Sequence, residues 1–235
     1  MKSKITDVST GLIFILCIPV LLLTASIGYA ANSLPVYEYG FREYDVGSTT
    51  GLTEPELEKA ARGLISYFNS GEEFISLTVE KDSRPFVIFN QQEIIHLKDV
   101  KGLIRLDYFV LLGTLVYVLG YVIVCLLWKK GRYRRRLSRV VIWGSGVTLA
   151  LMLALWLGVL LEFDRLFTQF HLISFANDFW LLDPAEDYLI MLFPSGFWYD
   201  VTLFCALGTA AAAIILAGIS GGYLFLGKRL LHLRQ

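Results

Sequence analysis

Charged residues are scarce in this 235-residue chain, where they make up 18% of the sequence. An ordinary soluble domain carries about 25% charged residues. The chain is also 55% hydrophobic, and its mean hydropathy is +0.58. This composition argues against a water-soluble globular protein and favours one that lies in a largely apolar solvent. The formal net charge is zero, so the distribution of charge along the chain is more informative than its sum.

Cysteine is rare, and its three positions, Cys17, Cys125 and Cys205, all fall inside long apolar runs. The segments between those runs contain no cysteine, which excludes a disulfide framework there. Cysteines in apolar surroundings are typically small buried side chains. An outward-facing segment without disulfides fits a bacterial plasma membrane.

The motifs of several enzyme classes are missing. The chain has no GxSxG nucleophile elbow, no glycine-rich phosphate-binding loop, and neither the HExxH nor the CxxC pattern of common zinc sites. It also has no internal repeats and no low-complexity tracts. The sequence therefore gives no motif support to a serine hydrolase, a nucleotide-binding enzyme or a typical zinc enzyme.

Four charge-free apolar runs are long enough to cross a bilayer, which takes about 20 helical residues. They cover 11–30, 108–128, 140–161 and 201–226. The first run follows two lysines and ends in Gly-Tyr-Ala, as a signal peptide would. Its length exceeds that of a usual signal core, so we expect an uncleaved first span within 1–30. The predicted fold class is membrane α-helical, with four transmembrane helices and a small mixed α/β extracellular cap.

The distribution of basic residues predicts the orientation in the membrane. The loop at 129–139, KKGRYRRRLSR, has seven basic residues and no acidic one, and the tail at 227–235 is also basic. The segment at 162–200 has seven acidic residues and only Arg165 as a base. The positive-inside rule then places both termini and the basic loop in the cytoplasm. The cap at 31–107 and an outer aromatic loop at 162–200 are expected to face outward.

The basic loop could also be interpreted as a nucleic-acid patch. A topogenic loop with some attraction to anionic lipid explains the same arginines better in a chain with four apolar runs. We therefore expect no nucleic-acid partner.

The cap at 31–107 has patterned segments. TEPE has the form of a capping box with proline in the first turn, and apolar residues at helical spacing predict a helix from about 54 to 69. FISLTV at 74–79 and PFVIFN at 85–90 predict two strands joined by a KDSR turn. The sequence QQEIIHLKDVKGLIRL then predicts a helix that leads into the second span.

Two of the three histidines, His96 and His171, are expected at similar depth just outside the membrane. Three interpretations of the pair are open. They could be structural histidines bonded to carbonyls, or part of a metal site to which Asp99 adds a ligand at one-turn spacing. They could also perform general acid–base catalysis on a lipid-borne substrate, for which imidazole suits neutral pH. The metal site ranks lowest because no tight ligand cluster accompanies the pair.

The outer aromatic loop mixes rings with polar groups. Aromatic residues gather at membrane interfaces, but this does not explain Asn177 and Asp178, because buried polar groups near lipid are costly unless paired or used. Asp178 or Asp99 could orient a histidine through its second ring nitrogen, and Asn177 could donate to a developing oxyanion. Further along, DPAE predicts a short helix from about 184 to 192.

Three sequence boxes carry a family resemblance. They are EIIHLKDVKGL at 93–103, FHLISFANDFWLLDPAEDYLIMLFP at 170–194, and YEYGFREYDV at 37–46. They resemble boxes of the lipoprotein intramolecular transacylase (Lit) family, small four-span bacterial membrane proteins with an extracellular cap. The first box departs from the family's E-x-x-H-M-x-D-V-K-x-L pattern at Leu97, where methionine is common. The resemblance covers nearly the whole chain.

The resemblance implies an acyl transfer within one molecule. Such enzymes move the sn-2 acyl chain of a diacylglyceryl lipoprotein to its N-terminal cysteine amine, giving a lyso-form lipoprotein. The family's two catalytic histidines correspond to His96 and His171. One would accept the amine proton, and the other would stabilise the oxyanion or protonate the leaving oxygen. The sequence leaves open which does which.

The same resemblance implies further site residues. The supporting or orienting residues are Glu93, Asp99, Asn177 and Asp178. The substrate-binding residues are Tyr37, Tyr44, Phe170, Phe175, Phe179, Trp180, Asp187 and Trp198.

The expected partners are the lipoprotein substrate and membrane lipids, with no cofactor and no metal, and the chain is expected to be a monomer in a bacterial cell membrane. Its active site would face the outer leaflet. Two alternatives stay open: a membrane hydrolase in which water attacks a lipid ester, and a non-catalytic protein that binds lipid or a partner through an aromatic cap groove. A transporter is disfavoured because the spans carry no midplane charge and no repeat.

Overall fold

The computed structural model of the chain describes residues 2–127 and 132–232, with side chains described within 8–127 and 133–226. Its elements in chain order are α1 (Lys2–Asn32), α2 (Leu34–Glu43), α3 (Val46–Thr50), α4 (Glu54–Asn69), β1 (Thr78–Lys81), β2 (Arg84–Val87), α5 (Gln91–Leu127), α6 (Arg132–Ser174), α7 (Tyr188–Leu192) and α8 (Ser195–His232). The start of the basic loop predicted at 129–139 and the end of the tail predicted at 227–235 lie outside the described residues.

Four of these helices, α1, α5, α6 and α8, are long and apolar enough to cross a membrane. With the single two-stranded sheet, they confirm the predicted class of a membrane α-helical protein with four spanning helices and a small mixed α/β part. The chain is a multi-pass membrane protein.

All four spanning helices are longer than the about 20 residues that a bilayer requires, and the two that carry the histidines are α5 with 37 residues and α6 with 43. The charge-free part of α5 begins at Tyr108, and α6 has non-helical dihedral angles at Glu162 (φ −151°, ψ 50°), where its charge-free run ends. Charged side chains at the bilayer centre are costly, so we take the charge-free parts as the membrane-spanning segments. His96 and His171 lie outside them.

The chain forms two compact units. The first comprises Met1–Ile27, Tyr108–Leu157 and Phe204–Gln235, and the second comprises Gly28–Asp107 and Gly158–Leu203. The second unit contains the sheet, the short helices and both histidines described above.

The first unit is a helix bundle with neutral polar contacts between its helices. Phe14 and Ile18 form its buried core with Val118. The hydroxyls of Ser26 and Thr209 lie 3.0 Å apart, and this bond joins α1 to α8. Such interhelical hydroxyl contacts are typical of membrane bundles.

The second unit is built around α4, which confirms the helix predicted from about 54 to 69. Its apolar stripe is buried, as the helical spacing required. The capping box did not form, because Thr53 makes no side-chain cap bond. Glu56 instead accepts a 2.6 Å hydrogen bond from the backbone N–H of Glu80. Its carboxylate therefore joins the helix to the hairpin rather than closing the helix end.

The hairpin is antiparallel and pairs Lys81 with Arg84 across the turn, which confirms the KDSR turn. Asp82 and Ser83 both have positive φ values, 52° and 59°, as a two-residue hairpin turn requires. The predicted strand bounds were wrong: β1 (Thr78–Lys81) overlaps the predicted 74–79 only at 78 and 79, and β2 (Arg84–Val87) covers only the first half of the predicted 85–90. Pro85 stands opposite Glu80, and proline fits a two-stranded sheet because it lies on an edge strand.

Other predicted boundaries need correction. The short helix expected at about 184–192 begins only at Tyr188, because Asp183 accepts from the N–H of Ala185 and holds a turn there. The segment at 162–200 is not a loop throughout, since α6 continues to Ser174. Helices α2 and α3 were not predicted.

Candidate acid–base site

Two imidazoles meet inside the second unit. The ring centroids of His96, on α5, and His171, on α6, lie 6.1 Å apart with an interplanar angle of 28°. Each residue is only 7% exposed. The two helices therefore bring together side chains that are 75 positions apart in the sequence.

Aromatic rings enclose the pair. Phe175 contacts both imidazoles, with centroid distances of 5.0 Å to His96 and 5.5 Å to His171. Around His171 stand Trp180 at 4.9 Å, Phe167 at 4.3 Å and Phe170 at 5.3 Å. An apolar enclosure of this kind strengthens any electrostatic interaction made inside it.

The proton position on His171 follows from its hydrogen bond. Nδ1 lies 2.8 Å from the backbone carbonyl oxygen of Phe167. A carbonyl oxygen only accepts hydrogen bonds, so Nδ1 carries the proton and donates it. In the neutral ring, Nε2 then holds a free lone pair.

His96 has a different environment. Its Nδ1 is buried and has no hydrogen-bond partner among the described residues. A buried polar atom without a partner is rare in proteins and calls for an explanation. A bound substrate that supplies the missing partner would provide one.

Burial also sets the protonation state of the pair. Burial, and then the neighbouring His171, lowers the pKa of His96 to about 4, although Asp99 acts in the opposite direction. Burial lowers the pKa of His171 as well, against the bond to Phe167. Both imidazoles are therefore neutral at pH 7, and each has one N–H donor and one lone pair.

A polar clamp holds the loop after His171 against α5. Asn177 donates from Nδ2 to Asp99 at 2.9 Å, and Gln92 donates to the carbonyl of Leu181 at 2.9 Å. Gln92, His96 and Asp99 have the spacing i, i+4 and i+7, which places them on one face of a helix. The clamp thus acts on both sides of His96 along the helix.

Two carboxylates, Asp99 and Asp178, do not make the contacts expected of them. Among the described residues, neither Asp99 nor Asp178 bonds a histidine ring nitrogen: Asp99 accepts from Asn177, and Asp178 is exposed. The side-chain oxygen of Asn177 accepts from the N–H of Phe179, while one donor site of its Nδ2 faces Asp99. Asn177 is therefore fixed at both ends of its amide.

Two predicted carboxylates form a second buried network. Glu93 is 1% exposed and accepts 2.6 Å hydrogen bonds from the N–H groups of Asn90 and Leu189. Asn90 accepts in return from the N–H of Glu93, so the two form a capping box at the start of α5. Asp187 accepts from Asn90 Nδ2 and from the N–H of Asp183. This network fixes α7 to the start of α5.

The other four predicted substrate-binding residues make no ring contact with either imidazole in the described structure. Trp198 reaches it indirectly, through a 6.4 Å ring contact with Phe167. Phe179 is 38% exposed. Tyr37 belongs to the buried core of the second unit, and Tyr44 donates at 2.6 Å to Asp200. The two tyrosines therefore have structural contacts of their own.

Sequence reasoning missed several contributors. Phe167 supplies the backbone carbonyl that fixes His171, and a backbone carbonyl leaves no residue-specific signal in the sequence. Gln92 and Asn90 precede His96 by four and six residues. Within the described side chains, no three His, Cys, Asp or Glu residues lie together in a way that could hold a metal ion.

Comparison with known proteins identifies relatives of this architecture. The sequence model of the family described as lipoprotein intramolecular transacylase Lit matches residues 12–198. An uncharacterised protein of Aquifex aeolicus (strain VF5) is 29% identical over 212 residues, which cover 88% of this chain and 90% of that protein.

Solved structures show the same fold. The membrane integral lipoprotein intramolecular transacylase Lit from Bacillus cereus aligns with a TM-score of 0.76 at 20% identity, covering 97% of this chain and 99% of that one. A variant of that protein with one histidine replaced by alanine aligns with a TM-score of 0.75 at 18% identity, covering 97% of each chain.

Proposed function

We propose, from the premise that this chain belongs to the lipoprotein intramolecular transacylase Lit family, that it moves the sn-2 acyl chain of a diacylglyceryl lipoprotein to the N-terminal cysteine amine of the same molecule. The product is a lyso-form lipoprotein with an N-acyl group. The observation that carries the proposal is the meeting of two buried imidazoles among surrounding aromatic rings.

Donor and acceptor belong to one molecule, so the reaction needs no acyl-enzyme. The protein must hold the amine against the ester carbonyl, and positioning of this kind supplies about 7–11 kcal/mol of the barrier. In our proposal, Phe170, Phe175 and Trp180 hold the glyceryl region, with Phe179 and Trp198 at the rim. The rings of the first three lie at the imidazoles or beside them.

His171 is assigned the role of base. The attacking amine loses one proton as its nitrogen bonds to the ester carbon, and the Nε2 lone pair of His171 accepts that proton. The Phe167 carbonyl supports this role because it keeps Nδ1 protonated and then stabilises the imidazolium.

His96 is assigned the opposite end of the reaction. Its neutral ring donates an N–H to the oxyanion of the tetrahedral intermediate. When the bond from carbon to glyceryl oxygen breaks, the imidazolium of His171 gives its Nε2 proton to that oxygen, which leaves as a secondary hydroxyl, while the nitrogen retains the acyl group as an amide. The proton taken up by the base is thus returned to the leaving group. The unpartnered Nδ1 of His96 supports a role that only substrate completes.

The membrane orientation belongs to the same proposal. The basic loop and both termini lie in the cytoplasm, and the second unit lies at the outer leaflet, where lipoprotein substrates expose the diacylglyceryl group. The chain acts as a monomer without cofactor or metal.

The test is mass spectrometry of the N-terminal peptide from a lipoprotein co-expressed with this chain. The wild type should give a peptide with one acyl chain on the amine and one on the glyceryl group. His96→Ala and His171→Ala should leave the diacylglyceryl form with a free amine. His232→Ala, at the third histidine of the chain, is the matched control and should retain the product.

Two outcomes would overturn the proposal. Release of free fatty acid with loss of one acyl chain would indicate a hydrolase in which water is the acceptor. Unchanged lyso-form product from both histidine variants would reject the acid–base assignment.

A further inference from the structure

We propose that residues 163–174 of α6, here called the interfacial segment, lie in the membrane interface and contact lipid through an exposed apolar stripe. The stripe consists of Leu166, Phe170 and Ile173, which are 40%, 51% and 83% exposed. Their spacing of four and three residues places them on one face of a helix.

The neighbouring face of the segment is buried in protein. Phe163 packs against Phe167 and against Tyr199 of α8, with centroid distances of 5.6 Å and 5.3 Å. His171 lies on this face with its ring contacts to Phe175 and Trp180. The stripe is therefore not the side on which the segment packs within its own unit.

The remaining face is polar. Asp164, Arg165, Thr168 and Gln169 are all exposed, and Leu172 is the apolar residue of the segment among them. A helix with one protein-bound face, one exposed apolar stripe and one charged face has the pattern of helices that lie in the plane of a membrane interface.

Lipid fits the stripe better than a second copy of the chain. The segment begins directly after the charge-free run 140–161 and Glu162, so chain connectivity holds its start at the membrane boundary, where lipid can cover the stripe. A stable protein interface buries about 800 Å² on each partner. Three side chains on one helix fall well short of that area.

Phe170 joins the stripe to the site. It is half exposed, yet its ring contacts His171 at 5.3 Å and Phe175 at 6.4 Å. On the basis of the proposed function, the segment holds the imidazole of His171 at the depth of the glyceryl esters. The ester can then react without leaving the interface.

The experiment measures depth and needs no activity, so its result is independent of the proposed function. The full chain, with its three cysteines replaced by alanine, is reconstituted in vesicles of phosphatidylethanolamine and phosphatidylglycerol. Spin labels are attached at Leu166→Cys and Ile173→Cys on the stripe, and at Thr168→Cys and Gln169→Cys on the polar face as matched controls.

Labels on the stripe should collide more with oxygen, which partitions into lipid, than with a water-soluble nickel chelate. Labels at the two controls should show the reverse. Equal access of the nickel reagent to all four positions would overturn the proposal, and so would stripe labels shielded from both reagents, which would indicate contact with protein.

A second readout serves in the case that the cysteine-free variant folds poorly. A benzophenone amino acid placed at the same four positions of the otherwise unchanged chain should crosslink to phospholipid from the stripe and not from the polar face. Crosslinks to a second copy of the chain, or to no lipid at all, would contradict the proposal.

Discussion

Two groups of buried ionisable side chains in the second unit differ in how completely they are satisfied. Glu93 and Asp187 each accept two hydrogen bonds. Lys101, 3% exposed, donates to the hydroxyl of Ser70 and to the carbonyl of Glu72. The histidine pair is as deeply buried, but His96 Nδ1 has no partner within the described part of the chain.

The difference separates structural from chemical roles. A buried group that is fully hydrogen-bonded stabilises one arrangement of the chain. A buried group left unpaired lowers stability by about 1–3 kcal/mol, and proteins keep such groups mainly at functional sites. The carboxylates and the lysine should therefore control folding, and the histidines should control activity.

The largest expected effect is loss of activity at the histidines. His171→Ala and His96→Phe should each lower the rate of lyso-form production by about 10²–10⁴-fold, the usual value of general acid–base help. His96→Phe should leave the thermal unfolding temperature unchanged or higher, because it removes an unpaired buried nitrogen and keeps an aromatic ring. Thermal unfolding in detergent, next to the activity assay, measures both. A large drop in stability with retained activity would show that the histidines control folding rather than activity.

The next effect is on stability at Glu93. Glu93→Ala leaves the N–H groups of Asn90 and Leu189 without their acceptor, and should cost about 2–3 kcal/mol, as expected for hydrogen bonds to a charged group. Glu58→Ala is the control, since Glu58 makes an exposed pair with Arg62 and should cost about 0.5 kcal/mol or less. Chemical denaturation measures the unfolding free energy of both variants. Equal losses of unfolding free energy would contradict a structural role for the buried network.

A smaller effect is expected at the bond between Asp99 and Asn177. Asn177→Asp sets two carboxylates against each other, loosens the loop after His171, and should lower the rate at saturating substrate about 10-fold through misplacement. The exchange Asp99→Asn with Asn177→Asp restores a donor and an acceptor and should recover most of the rate. No recovery in the double variant would show that the bond does not position the site.

The last effect concerns the dependence of stability on pH. The folded pKa of His96 is about 4, below the ordinary value of 6.5, so the unfolded chain binds more protons between these values. Stability should therefore fall as pH drops from about 6.5 towards 4. The difference in unfolding free energy between wild type and His96→Phe isolates this contribution from other titrating groups. A difference that does not change across this window would contradict the neutral, buried state of His96.

Much of the fold could be predicted because its signals are local. The four spans follow from apolar runs, α4 from its helical spacing, and the hairpin turn from KDSR. Helices α2 and α3 escaped prediction because they are short, with ten and five residues, and lie in a tyrosine-rich segment without a clear period. The strand bounds were predicted wrongly, since the pairing covers only four residues on each strand, Thr78–Lys81 and Arg84–Val87.

The site could be predicted in part. Similar distances from the spans indicated that His96 and His171 would lie at a similar depth, since the distance from a predicted span can be read from the sequence. The partner of His171 could not be found this way, because a backbone carbonyl has no residue-specific signal. Tyr37 and Tyr44 were included through the family resemblance, which does not distinguish a residue that touches substrate from one that supports the cap.

The most direct test of the account uses purified protein in lipid nanodiscs and two synthetic diacylglyceryl lipopeptides of different peptide mass, one carrying a deuterated sn-2 chain. The account predicts that the deuterated chain moves to the amine of its own peptide, that no fatty acid is released, and that the transfer stops in both His96→Phe and His171→Ala. Deuterated acyl groups on the other peptide, free deuterated fatty acid, or transfer that survives loss of both imidazoles would contradict it.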